Sequence, residues 1–270
     1  MQNIVITGCS TGIGLATAQY LSTRGYKVYP TVRDKNHLSV LRAMGFDNVM
    51  KLDVTKAEEI TNVINAVLEE DGKIDTWFNN AGFGQPGMIE DIKTDVLREQ
   101  FETNVFALHE CTRQIIPVMR KQGYGKIIQH SSVLGLVSLV GRGSYNASKY
   151  AVEGLTDTLR LELKDTNIYP ILLNTGPITS AFRKNAINKL KENVDLKNSF
   201  YSELYQQSIR DDKSKVPFKL EAIEVAKTVH KITLTAKPNP RYYITKATYL
   251  LGYLKRILST SMLDKILKKI

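Results

Sequence analysis

Cysteine is nearly absent: of 270 residues only Cys9 and Cys111 carry a thiol. They form neither a disulfide framework nor a metal-ligand pair, so a reducing cytoplasm is the expected compartment. Long apolar runs are lacking as well. No stretch approaches the roughly 18 residues that a membrane-spanning helix needs. Met1-Gln2-Asn3 leads straight into Ile4-Val5-Ile6, without the basic region and apolar stretch of a secretory signal. The four histidines, His37, His109, His130 and His230, are scattered without ligand spacing. Each reads as a surface or satisfied core residue, and no metal is assigned.

Acidic residues are scarce in one part only. Residues 1–170 hold 18 Lys+Arg and 19 Asp+Glu, whereas residues 171–270 hold 19 and 8, within a net charge of +10. A uniformly basic nucleic-acid binder would not show this asymmetry, and no nucleic-acid partner is expected.

What is present is a core-sized supply of apolar residues, 43% of the chain, which fits one α/β domain, although length alone would also permit two small ones. Short apolar runs at 4–7, 27–32, 48–52, 76–79, 126–129, 169–174 and 241–245 read as strands. Amphipathic patterns at 13–24, 57–70, 96–121 and 145–164 read as helices between them. Such alternation predicts a doubly wound parallel sheet covered by helices on both faces. Two stretches break the rhythm: a polar, Lys/Asn-rich segment at 180–220 that ends near Pro217, and a basic amphipathic extension at 246–270. The expected organisation is one domain over 1–245 followed by that extension.

The first strand runs into Thr7-Gly8-Cys9-Ser10-Thr11-Gly12-Ile13-Gly14 and then a helix. Glycines allow a tight turn and close backbone approach to a pyrophosphate, and the helix N-terminus offers free N–H groups to the anion. The spacing is T-G-x-x-x-G-x-G. In this it resembles the short-chain dehydrogenase/reductase family. Four further motifs fall where that family has them: Asn79-Asn80-Ala81-Gly82, Asn104 within a helix, Ser131-Ser132 after the fifth strand, and Tyr145-Asn146-Ala147-Ser148-Lys149, with Ser132 thirteen residues before Tyr145. The resemblance spans about residues 4–180. It implies a Rossmann-type fold and a carbonyl/alcohol oxidoreductase.

Reducing a carbonyl needs a hydride on carbon and a proton on oxygen. A free tyrosine, with a pKa of about 10, is a poor proton shuttle at neutral pH. Tyr145 and Lys149 are four apart and so share one helix face. A cation there favours tyrosinate, typically by about 1–3 pH units. The resemblance implies Tyr145 as general acid/base and Lys149 as ligand of the nicotinamide ribose. It makes Ser132 the hydrogen-bond partner of the substrate oxygen and Asn104 the holder of a relay water. It also assigns Gly8, Ser10, Thr11, Gly12, Ile13, Gly14, Asp53, Val54, Asn80, Ala81 and Gly82 to the cofactor. Thr175-Gly176-Pro177-Ile178-Thr179 stands where the family usually has Pro-Gly. Gly176 and Ile178 can still face the nicotinamide, with the local carboxamide contacts altered.

The second strand ends Val32-Arg33-Asp34 instead of on a carboxylate. An acidic residue closing this strand would accept from a ribose 2′-hydroxyl, whereas the Arg33 guanidinium suits a 2′-phosphate, so NADP is expected over NAD. Against this stand Thr11, where many NADP-using relatives carry a basic residue, and Asp34, which could replace the missing carboxylate. Phe182, Ile187, Leu190, Phe200, Tyr201, Leu204 and Tyr205 make the 180–220 segment an apolar lid, expected to cover a lipophilic carbonyl or alcohol. The run 28–34 and the extension loosely resemble the 17β-hydroxysteroid and retinol dehydrogenase branch.

In the extension, Leu250, Leu251, Leu254, Ile257 and Leu258, then Met262, Leu263, Ile266, Leu267 and Ile270, form stripes beside Lys255, Arg256, Lys265, Lys268 and Lys269. Such helices either dock on the domain or a partner subunit, the preferred reading, or lie on an anionic membrane surface. A homo-oligomer is expected. The competing classes are a non-catalytic dinucleotide sensor and a membrane-attached scaffold; among enzymes, distant relatives with the same motifs are sugar epimerases and dehydratases.

Overall fold

A computed structural model describes residues 1–210 and 218–268; Pro217, Lys269 and Ile270 lie outside the described residues. The first half runs β1 (Asn3–Ile6), α1 (Gly12–Ser22), β2 (Lys27–Val32), α2 (Asn36–Ala43), β3 (Met50–Lys51), α3 (Ala57–Asp71), β4 (Thr76–Asn79), α4 (Thr94–Phe101) and α5 (Ala107–Gln122). It continues with β5 (Gly125–Ser132), α6 (Gly143–Glu162), β6 (Ile168–Thr175), β7 (Ile178–Thr179), α7 (Phe182–Asn193) and α8 (Ser202–Arg210). β8 (Leu220–Glu221), α9 (Ala222–Leu234), β9 (Arg241–Tyr243), α10 (Lys246–Ile257) and α11 (Thr260–Leu267) complete it.

Seven strands form one parallel sheet in the order β3-β2-β1-β4-β5-β6-β9. Side chains alternate across a strand, and here both faces are apolar. Ile4, Ile6, Phe78 and Ile128 face one side with Ala18 and Leu21 of α1 and Val225, Val229 and Ile232 of α9. Val5, Trp77 and Ile127 face the other with Ile60, Val63 and Val67 of α3 and Cys111, Ile115 and Met119 of α5. This two-sided burial is why the strands read as near-continuous hydrophobic runs. The doubly wound α/β expectation therefore holds. Strand order reverses at β1, which pairs with β2 on one side and β4 on the other. The loops after β1 and β4 thus part, and a crevice opens at the C-terminal edge of the sheet.

Several local readings differ. The helix expected at 96–121 is a helical run interrupted by a π-turn over Glu102–Phe106, between α4 and α5. The third strand shrinks to two residues, and the fifth extends to Ser132. α2 and α9 were not anticipated; α9 has its apolar residues at helical spacing within a segment lacking strong capping signals.

The 180–220 segment holds α7 and α8. Its two ends are tied by a small parallel pairing, Ile178 with Leu220 and Thr179 with Glu221. α10 and α11 dock: Leu251 and Leu263, helped by Leu254, Leu258 and Leu267, pack on Val133, Leu134 and Val137. Burying each such leucine contributes about 1.5–3 kcal/mol, enough to seat both helices on the segment that follows Ser132.

Candidate active site

The glycine loop is built by close approach. Gly8 (φ 72°) and Gly12 (φ 63°) lie in the left-handed region, where residues with a Cβ are strained. A Cβ at Gly14 would stand 2.4 Å from the Gly8 carbonyl oxygen and 2.6 Å from Asn80 Nδ2. One on Gly8 would meet Ala81 Cα at 2.9 Å. Asn80 clasps the loop, its Nδ2 donating to the carbonyls of Thr7 (2.8 Å) and Gly8 (3.1 Å). Thr7 Oγ1 in turn accepts from the N–H groups of Asn80 and Ala81, both at 2.9 Å. Asn80 and Ala81 thus shape the loop, and Thr7, absent from the sequence-derived site, is its keystone.

Thr11 caps α1 without a side-chain hydrogen bond, and the first turn carries no acidic residue. Its N–H groups and positive dipole end face the crevice unopposed by a carboxylate. Together with the cradle that a Cβ would fill, these residues fit a dinucleotide pyrophosphate, with Ser10, Gly12 and Ile13 on the rim.

Tyr145 and Lys149 stand on one face of α6, the Lys149 ammonium 5.6 Å from the Tyr145 ring centroid. Ser132, 7% exposed, ends β5; its oxygen accepts from Leu134 N at 3.1 Å and its side chain bonds that of Tyr145. Lys149 Nζ donates to the His130 carbonyl at 2.6 Å. Asn104, buried in the π-turn, bonds the Phe83 main chain in both directions, Nδ2 to O at 2.9 Å and Phe83 N to Oδ1 at 3.1 Å. Its Nδ2 also reaches Ser148 Oγ at 3.2 Å, and Gly82 is small enough to pass its Oδ1. Ser132, Tyr145, Lys149 and Asn104 thus gather on the side of the crevice formed by β5 and α6.

The site's ionisation is governed first by burial. Burial pushes Tyr145 up to about 12, against the opposing pull of the Ser132 hydrogen bond and the Arg142 charge. That burial favours the neutral phenol. Burial brings Lys149 down to about 8, while Glu153 pulls it back up. His130, read from sequence as a bystander, belongs to the site: burial and the Lys149 charge hold it down to about 3, against a hydrogen bond to the Asn80 backbone. Phe182, at the start of α7, meets Tyr145 edge-on with centroids 5.5 Å apart. Gly84 lies under both rings.

The remaining sequence-derived residues are spread along the same sheet edge. Arg33 is exposed after β2, with no ion pair among the described residues. Asp34 Oδ1 accepts from Asn36 N at 2.9 Å at the start of α2. Asp53 Oδ1 accepts from Thr55 N (3.1 Å) and Thr55 Oγ1 (2.8 Å) ahead of α3. Val54 lines a small cavity with Thr7, Asn79 and Ala81. Ile178 belongs to the strand pair at the foot of the lid. Gly176 is required by packing from elsewhere: a Cβ there would meet Thr245 Oγ1 at 2.0 Å.

Comparison with known proteins identifies the family. The family described as short chain dehydrogenase matches residues 2–191. An uncharacterized oxidoreductase, YbbO, of Escherichia coli K12 is 34% identical over 268 residues, covering 99% of this chain and 94% of its own. Retinol dehydrogenase 8 of Bos taurus is 29% identical over 255 residues, with 88% of this chain and 79% of its own covered. The crystal structure of a short chain dehydrogenase/reductase from Burkholderia phymatum in complex with NAD superposes with a TM-score of 0.76 at 26% identity, covering 94% of this chain and 92% of that one. A reversal-point crevice with its glycine cradle, and a family match over most of the chain, lead to one conclusion: this protein belongs to the short-chain dehydrogenase/reductase family of oxidoreductases, which bind a nicotinamide dinucleotide.

Proposed function

We propose that the chain is an NADP(H)-dependent oxidoreductase that moves a hydride between the nicotinamide and a lipophilic ketone, aldehyde or secondary alcohol, with Tyr145 as general acid/base. The observation that carries this reading is the convergence of Ser132, Tyr145 and Lys149 beside the crevice that the glycine loop borders. A bound nicotinamide dinucleotide supplies or accepts the hydride. Tyr145, held as a neutral phenol, carries the proton that a carbonyl oxygen takes up on reduction. Ser132 donates to the same oxygen and steadies its developing charge. In the oxidising direction the phenol must lose its proton, and the ammonium of Lys149 stabilises the phenolate that results.

Arg33, exposed at the end of β2 while Asp34 is engaged by Asn36, supports NADP over NAD. The ring of Phe182 against Tyr145 supports an apolar substrate, as does the likeness to an enzyme named for retinol. The test is a fluorescence titration with NADPH and, separately, NADH. Tighter NADPH binding that weakens about tenfold on Arg33→Ala, the worth of one charge-assisted hydrogen bond, supports the reading. Equal or tighter NADH binding removes the NADP preference, and binding of neither removes the enzyme reading. Tyr145→Phe should keep binding and abolish turnover.

A place at an anionic membrane surface is part of this reading, and one feature of α10–α11 favours it. Although one face is docked, Tyr249, Leu250, Tyr253, Ile257 and Met262 remain exposed on the other, Ile257 at 77%. Lys246, Lys255, Arg256, Lys265 and Lys268 accompany them, against Asp264 alone. Among the described residues no helix is long and apolar enough to cross a membrane, so contact would be peripheral. Co-sedimentation with phosphatidylserine vesicles, lost on Tyr253→Ser with Ile257→Ser, is the expected result; protein left in the supernatant ends the idea and returns the reading to a cytoplasmic enzyme. Exposed Tyr150, Leu155 and Leu161 on α6 favour a homo-oligomer, which light scattering on the eluting protein checks.

A further inference from the structure

α6 carries more than the Tyr145–Lys149 pair. Continuing at the same spacing of four, Glu153 and Asp157 extend the stripe along the helix. Glu153 is a carboxylate only 7% exposed, a position that a charged group occupies at a cost unless it is paired and hydrogen-bonded. It is both. Its Oε1 accepts from Ser131 Oγ and, at 2.6 Å, from Asn174 Nδ2. Its Oε2 faces the Arg241 guanidinium of β9 at 2.8 Å. The same guanidinium lies 3.2 Å from Asp157 Oδ2. Asn174 Nδ2 also donates to the Ser132 carbonyl at 3.3 Å. Gly135 closes over this cluster; a Cβ there would stand 2.9 Å from Ser131 Oγ and 3.0 Å from Glu153 Cγ.

We propose that Glu153 is a positioning residue of the active site: it ties the end of β5 that bears Ser132 to the helix that bears Tyr145 and Lys149, and its charge holds the ammonium on Lys149. This role rests on the oxidoreductase reading for its purpose, but its physical content is independent of turnover. Lys149 is buried and, without an opposing charge, sheds its proton readily. Its other titratable neighbours do not help: Tyr145 is neutral, the His130 imidazole is neutral, and Arg142 is a like charge close to Tyr145. Glu153 is the group that raises it. Burial, with the charge of Asp157, raises Glu153 above the ordinary carboxylate range, while Ser131, Arg241 and Asn174 pull it back down, and the ion pair with Arg241 favours its charged form.

The test is a direct titration of the resting protein. Lysine labelled with ¹⁵N reports each Nζ, and Lys149→Arg identifies the Lys149 signal. The Lys149 midpoint should fall by about one pH unit or more in Glu153→Gln, which keeps the acceptor for Ser131 and Asn174 but removes the charge. Glu153→Asp should restore most of it. An unmoved midpoint in folded Glu153→Gln overturns the proposal. Should that variant not fold, the wild type decides: the Glu153 carboxyl ¹³C signal must shift with the Lys149 midpoint, and a flat trace through that range overturns it. A protein that shows the coupling yet turns over no carbonyl would fail the enzyme reading and leave the role of Glu153 intact. Where turnover is measurable, the limb of the kcat profile governed by Lys149 should move with the same shift.

Discussion

Lys149 donates to the main-chain carbonyl of His130 at 2.6 Å while its ammonium sits 5.6 Å from the centre of the Tyr145 ring. A strand residue therefore fixes where the positive charge of the site lies. The hydrogen bond keeps that charge beside the phenol, whose burial favours the protonated form, and a cation so placed stabilises the phenolate when it forms.

Replacing Lys149 by Met should lower turnover by roughly 10²–10⁴-fold, the scale of a lost acid/base partner. Dinucleotide binding should weaken as well if Lys149 holds the ribose. Lys149→Arg is not expected to rescue, because a planar guanidinium cannot reproduce a compact ammonium against the carbonyl. Steady-state kinetics across the three proteins checks both statements.

His130 gives the protein an acid-sensitive element. Its folded value is held down to about 3, below the ordinary 6.5. The unfolded chain therefore binds a proton that the folded chain refuses, and stability falls as pH drops from about 6.5 towards 3. Between pH 6.5 and 5 the loss is on the order of 2 kcal/mol at most. Urea unfolding at pH 7 and pH 5 should show a smaller loss for His130→Gln than for the wild type; equal losses would mean that other groups carry the acid response.

Lys149 and Tyr145 act at the opposite end of the scale. With Lys149 lowered from 10.5 to about 8, the unfolded chain holds the extra proton, so its contribution makes stability rise as pH climbs from 8 to 10.5. Tyr145, raised from 10.0 to about 12, holds its proton in the folded state, and its contribution falls away above pH 10. Tyr145→Phe should therefore soften alkaline unfolding above pH 10, as followed by circular dichroism.

Gly176→Ala should dislodge α10. The added methyl would overlap Thr245 Oγ1, which accepts from Thr248 N at 3.3 Å at the start of that helix. Overpacking of this kind costs about 1–3 kcal/mol. Thr245→Ala alone also destabilises by removing the cap, yet the double variant should lose less than the sum, because the nearest clashing atom is gone. Additive losses in thermal unfolding would place the strain elsewhere.

Phe182→Ala should raise KM for apolar carbonyls more than it lowers kcat. The ring contributes apolar surface beside Tyr145, and losing it removes binding common to ground and transition states. An equal fall in kcat would instead assign Phe182 to the transition state.

Much of the fold was readable because its signals are local. Short continuous apolar runs, helical-period patterns, glycines in a loop and a Tyr/Lys pair four apart are properties of neighbouring residues. The π-turn at Asn104 was not readable. Glu102-Thr103-Asn104-Val105-Phe106 holds no glycine or proline to mark a break, and the asparagine there bonds Phe83, which the chain brings in from another loop. Gly176 invited a ligand-facing interpretation, whereas its closest neighbour is Thr245.

The sequence by itself determined the alternating α/β order, the glycine loop, and the residue types able to move a proton. Tertiary structure decided how those groups ionise and what holds them. Desolvation of Tyr145 and Lys149 depends on everything that closes over them, and the Glu153–Arg241 pair joins a helix to an edge strand distant in the chain. Neither a dielectric environment nor a long-range contact is written in a window of neighbouring residues; both arise only once the sheet has assembled and the C-terminal helices have packed on the segment after β5.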